Sequence, residues 1–276
     1  RRGLDLWSFF VRLVLVDTHA HLDELEDLDE AVARAQQAGV RAIVAVGSDL
    51  QSNVKTLDIA SRYPGVVYPA LGLHPWRLQG LSPQDVDAAL DFIERHLHQA
   101  VAVGEIGLDY DKRAVKAVPK DRQQEVLRQA LALAVRHGKP VSLHTRYAWK
   151  DALAIVKESG VQKAVFHWFT GFSSVLRELL AAGYYISATP AAEYHEEHHR
   201  AIREAPPDRL LLETDCPVDY GREVRFTSQP HDLVRSLQAA AAVKNIDPAD
   251  LARQTTANAA AVFGIRGTDY GQAEPC

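Results

Sequence analysis

The run Val14-Leu-Val-Asp-Thr-His-Ala-His-Leu-Asp23 starts apolar and closes on two histidines, and the amphipathic stretch Leu28–Ala38 follows it. A short apolar run reads as a buried strand, whereas apolar positions recurring every three to four residues read as one face of a helix. The same pair repeats along the chain. Strands are expected at Val14–His21, Ala42–Gly47, Val67–His74, Val101–Asp109, Val141–Thr145, Ala164–Trp168, Tyr185–Ala188 and Leu210–Thr214. Between them lie helix patterns at Leu28–Ala38, Gln51–Ser61, Pro83–His98, Asp121–Arg136, Trp149–Glu158, Ser174–Ala181 and Glu196–Ala205, and Pro230–Lys244 and Pro248–Phe263 close the chain. Gly39, Gly138, Gly160 and Gly183 stand where helices should stop. Ser82-Pro83 supplies an N-cap followed by a first-turn proline.

Strict strand–helix alternation implies a parallel sheet. Eight units in about 250 residues match an α/β fold of the (β/α)₈ type, a TIM barrel, here with an extra C-terminal helix. An open doubly wound sheet is the alternative, disfavoured because no G-x-G-x-x-G follows any strand. One domain is expected over residues 14–264, with an N-terminal extension at 1–13 and a C-terminal tail at 265–276.

His19 and His21 are two residues apart, so in a strand their side chains share a face with Cα atoms about 6.6 Å apart. Neutral imidazole ligates zinc, nickel, manganese and iron, which makes the pair a candidate half-site. Alone, H-x-H is as readily an accident of a polar strand. Four further strand ends each deliver a residue of ligand type. Val101-Ala-Val-Gly-Glu-Ile-Gly-Leu-Asp109 carries Glu105, Pro140-Val-Ser-Leu-His-Thr-Arg146 carries His144, Ala164-Val-Phe-His-Trp-Phe-Thr-Gly171 carries His167, and Leu210-Leu-Leu-Glu-Thr-Asp-Cys-Pro217 carries Asp215. Each singly reads as a hydrogen-bonded core residue; five strands ending this way do not. In a barrel all these ends ring one cavity, where catalytic groups sit.

Of the 276 residues 47% are hydrophobic and 24% charged, a balance ordinary for a soluble enzyme, and no apolar run reaches the ~18–20 residues of a membrane span. The first residues, two arginines and then apolar side chains, have the look of a signal peptide. Asp5 and Arg12 interrupt them and no small-residue cleavage site follows, so a soluble, cytoplasmic protein is expected. Cys216 and Cys276 provide no disulfide framework, and Cys216 reads as a small packed side chain. The net charge of −5 does not advertise a polyanion binder. Nucleic-acid contact then needs a local patch, with Arg113, Lys116, Lys120 and Arg122, or Arg222 and Arg225, as candidates against the plainer reading of solvated faces.

Four imidazoles and two carboxylates exceed what one zinc needs, since catalytic zinc takes about three protein ligands and leaves a place for water. The set suggests two divalent ions, with His19, His21 and Asp215 on one, His144 and His167 on the other, and Glu105 bridging both. Two cations ~3.5–4 Å apart lower the pKa of a shared water and stabilise charge on a displaced oxygen. Asp215, beside that water, is the expected general base. The chemistry is that of a metal-assisted hydrolase.

Asp17-Thr-His-Ala-His-Leu-Asp23, Gly72-Leu-His-Pro75, Gly104-Glu-Ile-Gly-Leu-Asp109, the arginine-flanked His144, His167-Trp-Phe-Thr-Gly171 and Glu213-Thr-Asp215 together resemble the motif set of the TatD family of metal-dependent deoxyribonucleases, within the wider amidohydrolase-like barrels. The resemblance runs in order from about Val14 to Gly264. It implies a (β/α)₈ barrel that cuts phosphodiester bonds in DNA with divalent magnesium, manganese or zinc. It places the metal on His19, His21, Glu105, His144, His167 and Asp215, as the residues themselves suggest. The DNA substrate is expected as single strands or ends. Two departures stand out: Trp168 follows His167 where members usually have cysteine, and Thr227-Ser-Gln-Pro230 replaces an Arg-Asn-Glu-Pro stretch.

His74 shares the catalytic face and is expected to donate to a substrate phosphate, with packing beside Trp76 as the plainer role. Arg146 is a candidate for bidentate phosphate binding, or else a structural salt bridge. Asp17, in phase with His19 and His21, is expected to support them rather than ligate. Tyr194-His-Glu-Glu-His-His199 reads as a solvated helix face. Two other functions stand beside the nuclease. One is an amide, lactone or carboxylic ester hydrolase on the same barrel, aminoacyl-tRNA deacylation included; the other is a non-catalytic protein with a structural metal. The full ligand set disfavours the latter, because structural zinc sites close with four ligands.

Overall fold

A computed structural model describes residues 13–265, and in it the apolar runs form eight parallel strands that neighbour one another in sequence order. These are β1 (Leu15–Ala20), β2 (Val40–Val46), β3 (Val67–Leu71), β4 (Ala102–Gly107), β5 (Val141–His144), β6 (Ala164–Phe166), β7 (Tyr185–Ala188) and β8 (Leu210–Leu212). The amphipathic segments form α1 (Leu28–Gln37), α2 (Leu50–Arg62), α3 (Pro83–His96), α4 (Lys112–Ala117), α5 (Lys120–Arg136), α6 (Trp149–Ser159), α7 (Ser173–Ala181), α8 (Glu196–Glu204), α9 (Leu233–Lys244) and α10 (Pro248–Phe263). Apart from Leu13 and Ile265, the N-terminal extension and the C-terminal tail lie outside the described residues, as does Cys276. Among the described residues no helix is long and apolar enough to cross a membrane.

The ring closes between β1 and β8 through the chain that leaves them. His19 O accepts from Asp215 N at 2.9 Å and Cys216 O accepts from His21 N at 2.8 Å. Asp17 Oδ2 accepts from Thr214 Oγ1 at 2.6 Å, and Oδ1 from Thr214 N at 3.0 Å. This is a (β/α)₈ barrel. Alternation along β2 sorts its side chains, with Ala42, Val44 and Val46 in an inner cluster and Ile43 and Ala45 in the outer layer under the helices.

The last helix closes the amino end of the barrel, because Ala259, Val262 and Phe263 of α10 join that inner cluster. Asn258 fixes it there by donating from Nδ2 to the carbonyls of Pro207 and Leu210, both at 2.8 Å. Asn258→Ala removes both of these bonds, while Pro207 O keeps its bond from Leu210 N, and is expected to cost about 1–3 kcal/mol. Denaturant titration measures this; an unchanged midpoint would show that apolar packing alone docks α10.

Several strands end earlier than expected. β3, β6 and β8 stop at Leu71, Phe166 and Leu212, so His74, His167 and Asp215 stand on the loops beyond. The reason is local: Trp168 (φ 42°) and Asp215 (φ 50°) adopt left-handed backbone, which leaves the ladder and turns the chain over the mouth. Two elements escaped the periodicity. Helix α4, capped by Asp111 accepting from Arg113 N, and the hairpin of β9 (Asp219–Tyr220) with β10 (Phe226–Thr227) are too short to show a repeat.

Candidate metal centre

At the carboxyl ends of the strands opens a cavity of ≈1210 Å³. Its floor holds His21, His74, Glu105, His144, His167 and Asp215, and His19 lies fully buried against them. Glu105 occupies the middle. Gly72, at the end of β3, lets this approach happen, since a Cβ there would run into the backbone of Glu105 and Gly104.

The two carboxylate oxygens of Glu105 face opposite sides. Oε2 lies 3.7 Å from His19 Nε2 and 3.5 Å from His21 Nε2. Oε1 lies 3.1 Å from His144 Nδ1 and 2.9 Å from His167 Nε2. Asp215 Oδ1 completes the first side, 3.6 Å from Nε2 of both His19 and His21. All six residues expected as ligands therefore converge on one carboxylate.

Buried carboxylates and second hydrogen bonds orient the rings. His19 Nδ1 meets Ser142 Oγ at 3.1 Å, His144 Nε2 meets Asp109 Oδ2 at 2.9 Å, and His167 Nδ1 meets Glu213 Oε1 at 3.3 Å. A carboxylate behind a metal-ligating imidazole fixes its tautomer and raises its basicity. Asp109 is itself held by Trp76 Nε1 at 2.7 Å and Asp111 N at 2.7 Å. The sequence reading missed Asp109, Glu213 and Ser142 in this role. The signal for the two acids was their place inside Gly104-Glu-Ile-Gly-Leu-Asp109 and Glu213-Thr-Asp215; Ser142 carried none.

Burial acts to raise the Glu105 pKa, but the facing His74, His167 and His144 outweigh it and hold the carboxyl well below the usual range. Asp109 behaves alike: burial is overcome by hydrogen bonds from His144 and Trp76, and its pKa falls to about 2. Burial opposes charge on His167, yet Glu105 and Glu213 push its pKa well up. Burial pushes Asp215 up despite His167, His19 and His21 nearby.

His74 is positioned differently from the other imidazoles. Its Nδ1 accepts from Trp76 N at 3.2 Å, and burial drops its pKa to about 3. The neutral ring therefore carries its proton on Nε2, which lies 3.6 Å from Glu105 Oε1. Arg146 lines the cavity and forms no ion pair among the described residues, which disfavours the salt-bridge alternative. Asp17 binds Thr214 and the backbone N of His19 (3.3 Å) rather than an imidazole, so it secures the seam.

The helix face at Tyr194–His199 differs from the expectation. His195 and Glu197 border the cavity, while His198 is wholly buried, with Nδ1 3.1 Å from Phe169 O and Nε2 accepting from Thr189 N at 3.2 Å. The period of α8 turns one histidine of the cluster inward, and backbone groups satisfy it. Arg113, Lys116, Lys120, Arg122, Arg222 and Arg225 all lie outside the cavity lining. Arg122 pairs with Glu125, and Lys120 covers the Tyr110 ring at 4.1 Å. Thr227–Pro230 also stands away from the cavity, with Thr227 Oγ1 donating to Asp219 Oδ1 at 2.6 Å across the small hairpin.

The donor set fits divalent cations. His19 Nε2 is buried without a hydrogen-bond partner, although two carboxylate oxygens stand 3.6 and 3.7 Å away. That spacing is too long for hydrogen bonding and close to the about 3.4 Å that separates two ligands sharing a tetrahedral ion with 2.1 Å bonds. His19, His21 and Asp215 form one compact group of ligand atoms, and His19, His167 and Glu213 another; Glu105 and His144 share a third with His74, whose Nδ1 is already taken by Trp76 N.

The chain is similar to known proteins along nearly its whole described length. The model of the family described as TatD related DNase matches residues 16–264. Human Deoxyribonuclease TATDN3 is 34% identical over 261 residues, spanning 90% of this chain and 94% of that protein. The uncharacterized metal-dependent hydrolase YabD of Bacillus subtilis is 33% identical over 262 residues, spanning 91% and 100%. Among solved structures, the TatD homolog YJJV of Escherichia coli superposes with a TM-score of 0.83 at 28% identity, covering 91% of this chain and 98% of that one.

Proposed function

The chain belongs to the TatD-related DNase family, and from that premise we propose that it is a divalent-metal-dependent hydrolase of phosphodiester bonds in DNA, acting on single strands or ends. The observation that carries the reading is the division of Glu105, with Oε2 toward His19 and His21 and Oε1 toward His144 and His167. On this reading His19, His21 and Asp215 would hold one ion, His144 and His167 the other, and Glu105 would contribute to both. Magnesium, manganese and zinc are the candidates. A cytoplasmic location and a single domain over 14–264 belong to the same proposal.

Divalent ions bound there supply charge neutralisation for the phosphate and a more acidic water. The protein's own groups do the rest. Asp215 accepts the proton of the water that attacks phosphorus, and as the P–O ester bond breaks that proton is available to the departing alkoxide oxygen. His74 presents Nε2–H to a phosphate oxygen, and Arg146 offers its guanidinium to another. Asp109 and Glu213 keep His144 and His167 aimed. The cavity of ≈1210 Å³ is open at the mouth and has room for a segment of polymer chain.

The deciding assay compares a short single-stranded DNA with a panel of lactones and cyclic amides, each with manganese, magnesium or zinc. Cleavage of the DNA is expected. Brisk lactone turnover with DNA left intact under every metal would assign the barrel to carboxylic ester or amide hydrolysis instead. Elemental analysis of protein purified without chelators and then saturated is expected to approach two ions per chain. A firm plateau at one removes the bridging role of Glu105.

A further inference from the structure

The wall of the cavity carries exposed aromatic rings that the chemistry above does not use. Phe172 is 67% exposed and Tyr147 is 56% exposed, the largest values among the exposed aromatic side chains of the described residues. They flank Trp149: Tyr147 stands edge-on to it at 5.8 Å between centroids, and Phe172 at 5.7 Å. All three line the same cavity as Glu105 and Asp215. Exposed rings grouped at one mouth are a recognition surface rather than scattered surface apolar residues.

Their placement is tied to the metal ligands. Tyr147 follows His144 by three residues, so its Cα lies at most about 11 Å from that of His144. Phe172 follows His167 by five residues on the next loop. Both loops are held in place. Tyr147 has a left-handed backbone (φ 57°), uncommon for a bulky residue and frequent where function demands it. Arg200 donates to the carbonyls of Thr170 at 3.5 Å and Gly171 at 2.5 Å, just before Phe172. A Cβ on Gly171 would strike the Trp149 ring, so the loop packs directly against the indole. Arg146 Cζ lies over the Tyr147 ring, 5.4 Å from its centroid, so a cation adjoins the group of rings.

We propose that Tyr147, Trp149 and Phe172 form a stacking shelf for an unpaired nucleobase of the substrate, adjoining the phosphate held at the centre. The proposal rests on the phosphodiesterase reading and deepens it. Every base has a π face, so such a shelf accepts a strand without regard to sequence, while a paired and stacked base cannot reach it. The shelf is thus the feature that selects single strands and frayed ends.

The test is a cycle between protein and substrate. Phe172→Ala is expected to lower kcat/KM on single-stranded DNA about 5- to 150-fold, mainly through KM, the range seen when a stacked aromatic is removed. An oligonucleotide with abasic analogues at its terminal positions is expected to suffer a similar loss with the wild-type protein and little further loss with Phe172→Ala. Chelator-treated protein gives a second readout without turnover: 2-aminopurine at those positions should be quenched on binding wild type and not on binding Phe172→Ala. Equal losses on normal and abasic strands, with quenching unchanged, overturn the shelf while leaving the nuclease reading intact. Wild-type protein that cleaves neither strand with any metal overturns the nuclease reading and the shelf together.

Discussion

Asp215→Asn is expected to lower kcat on a phosphodiester by about 10²–10⁴-fold, the loss typical when a general base is removed. The side chain is nearly buried, its Oδ1 stands 3.6 Å from Nε2 of both His19 and His21, and its backbone N bonds His19 O. Asparagine keeps the size and one ligating oxygen but lacks the charge and the basic lone pair. Metal content should therefore be largely retained. KM should change little, because on the proposed reading the ions, His74 and Arg146 would hold the phosphate. Binding should weaken only modestly with salt, since few cations of this acidic chain displace counterions. Elemental analysis beside steady-state kinetics checks all of this; a variant that keeps both metal and kcat removes Asp215 from the chemical step.

Glu105→Ala is expected to be more damaging than His144→Ala. The histidine change strips one ligand from one side, and water can take its place. The glutamate serves both sides, with distances of 2.9–3.7 Å to four imidazoles. Its loss should exceed the about 10–100-fold drop typical when only the hydrogen-bond partner of a ligand is removed. It should also lower the metal content of both positions. Measured side by side, equal and mild losses for the two variants would point to a mononuclear enzyme in which Glu105 is secondary.

The candidate ligands were legible because each stands at or just beyond the end of an apolar run, and a strand end has a fixed address in a barrel. His144 follows Val141-Ser-Leu, and Asp215 follows Leu210-Leu-Leu-Glu-Thr. Their supporting partners were less legible. Asp109 and Glu213 were visible as acids near ligands, but which imidazole each one holds depends on rotamers and on neighbours 35 and 46 residues away. His198 shows the converse: a histidine in a polar cluster was turned inward by the phase of its helix and satisfied by Phe169 and Thr189.

Periodicity and spacing by themselves determined that this chain alternates strands and helices, that the sheet is parallel, and that six metal-type residues sit at or just beyond strand ends. Those are local properties: a side chain's face follows from the 2.0 or 3.6 residue repeat, whatever the rest of the fold does. Only the tertiary structure decided that the two oxygens of Glu105 face separate histidine pairs, that His74 keeps its proton on Nε2, and that Tyr147, Trp149 and Phe172 gather on one wall. The first depends on the barrel, which brings residues up to 86 positions from Glu105 within 4 Å of it, and the other two on how short loops fold back at the mouth; no repeat along the chain encodes which atom of a side chain then points where.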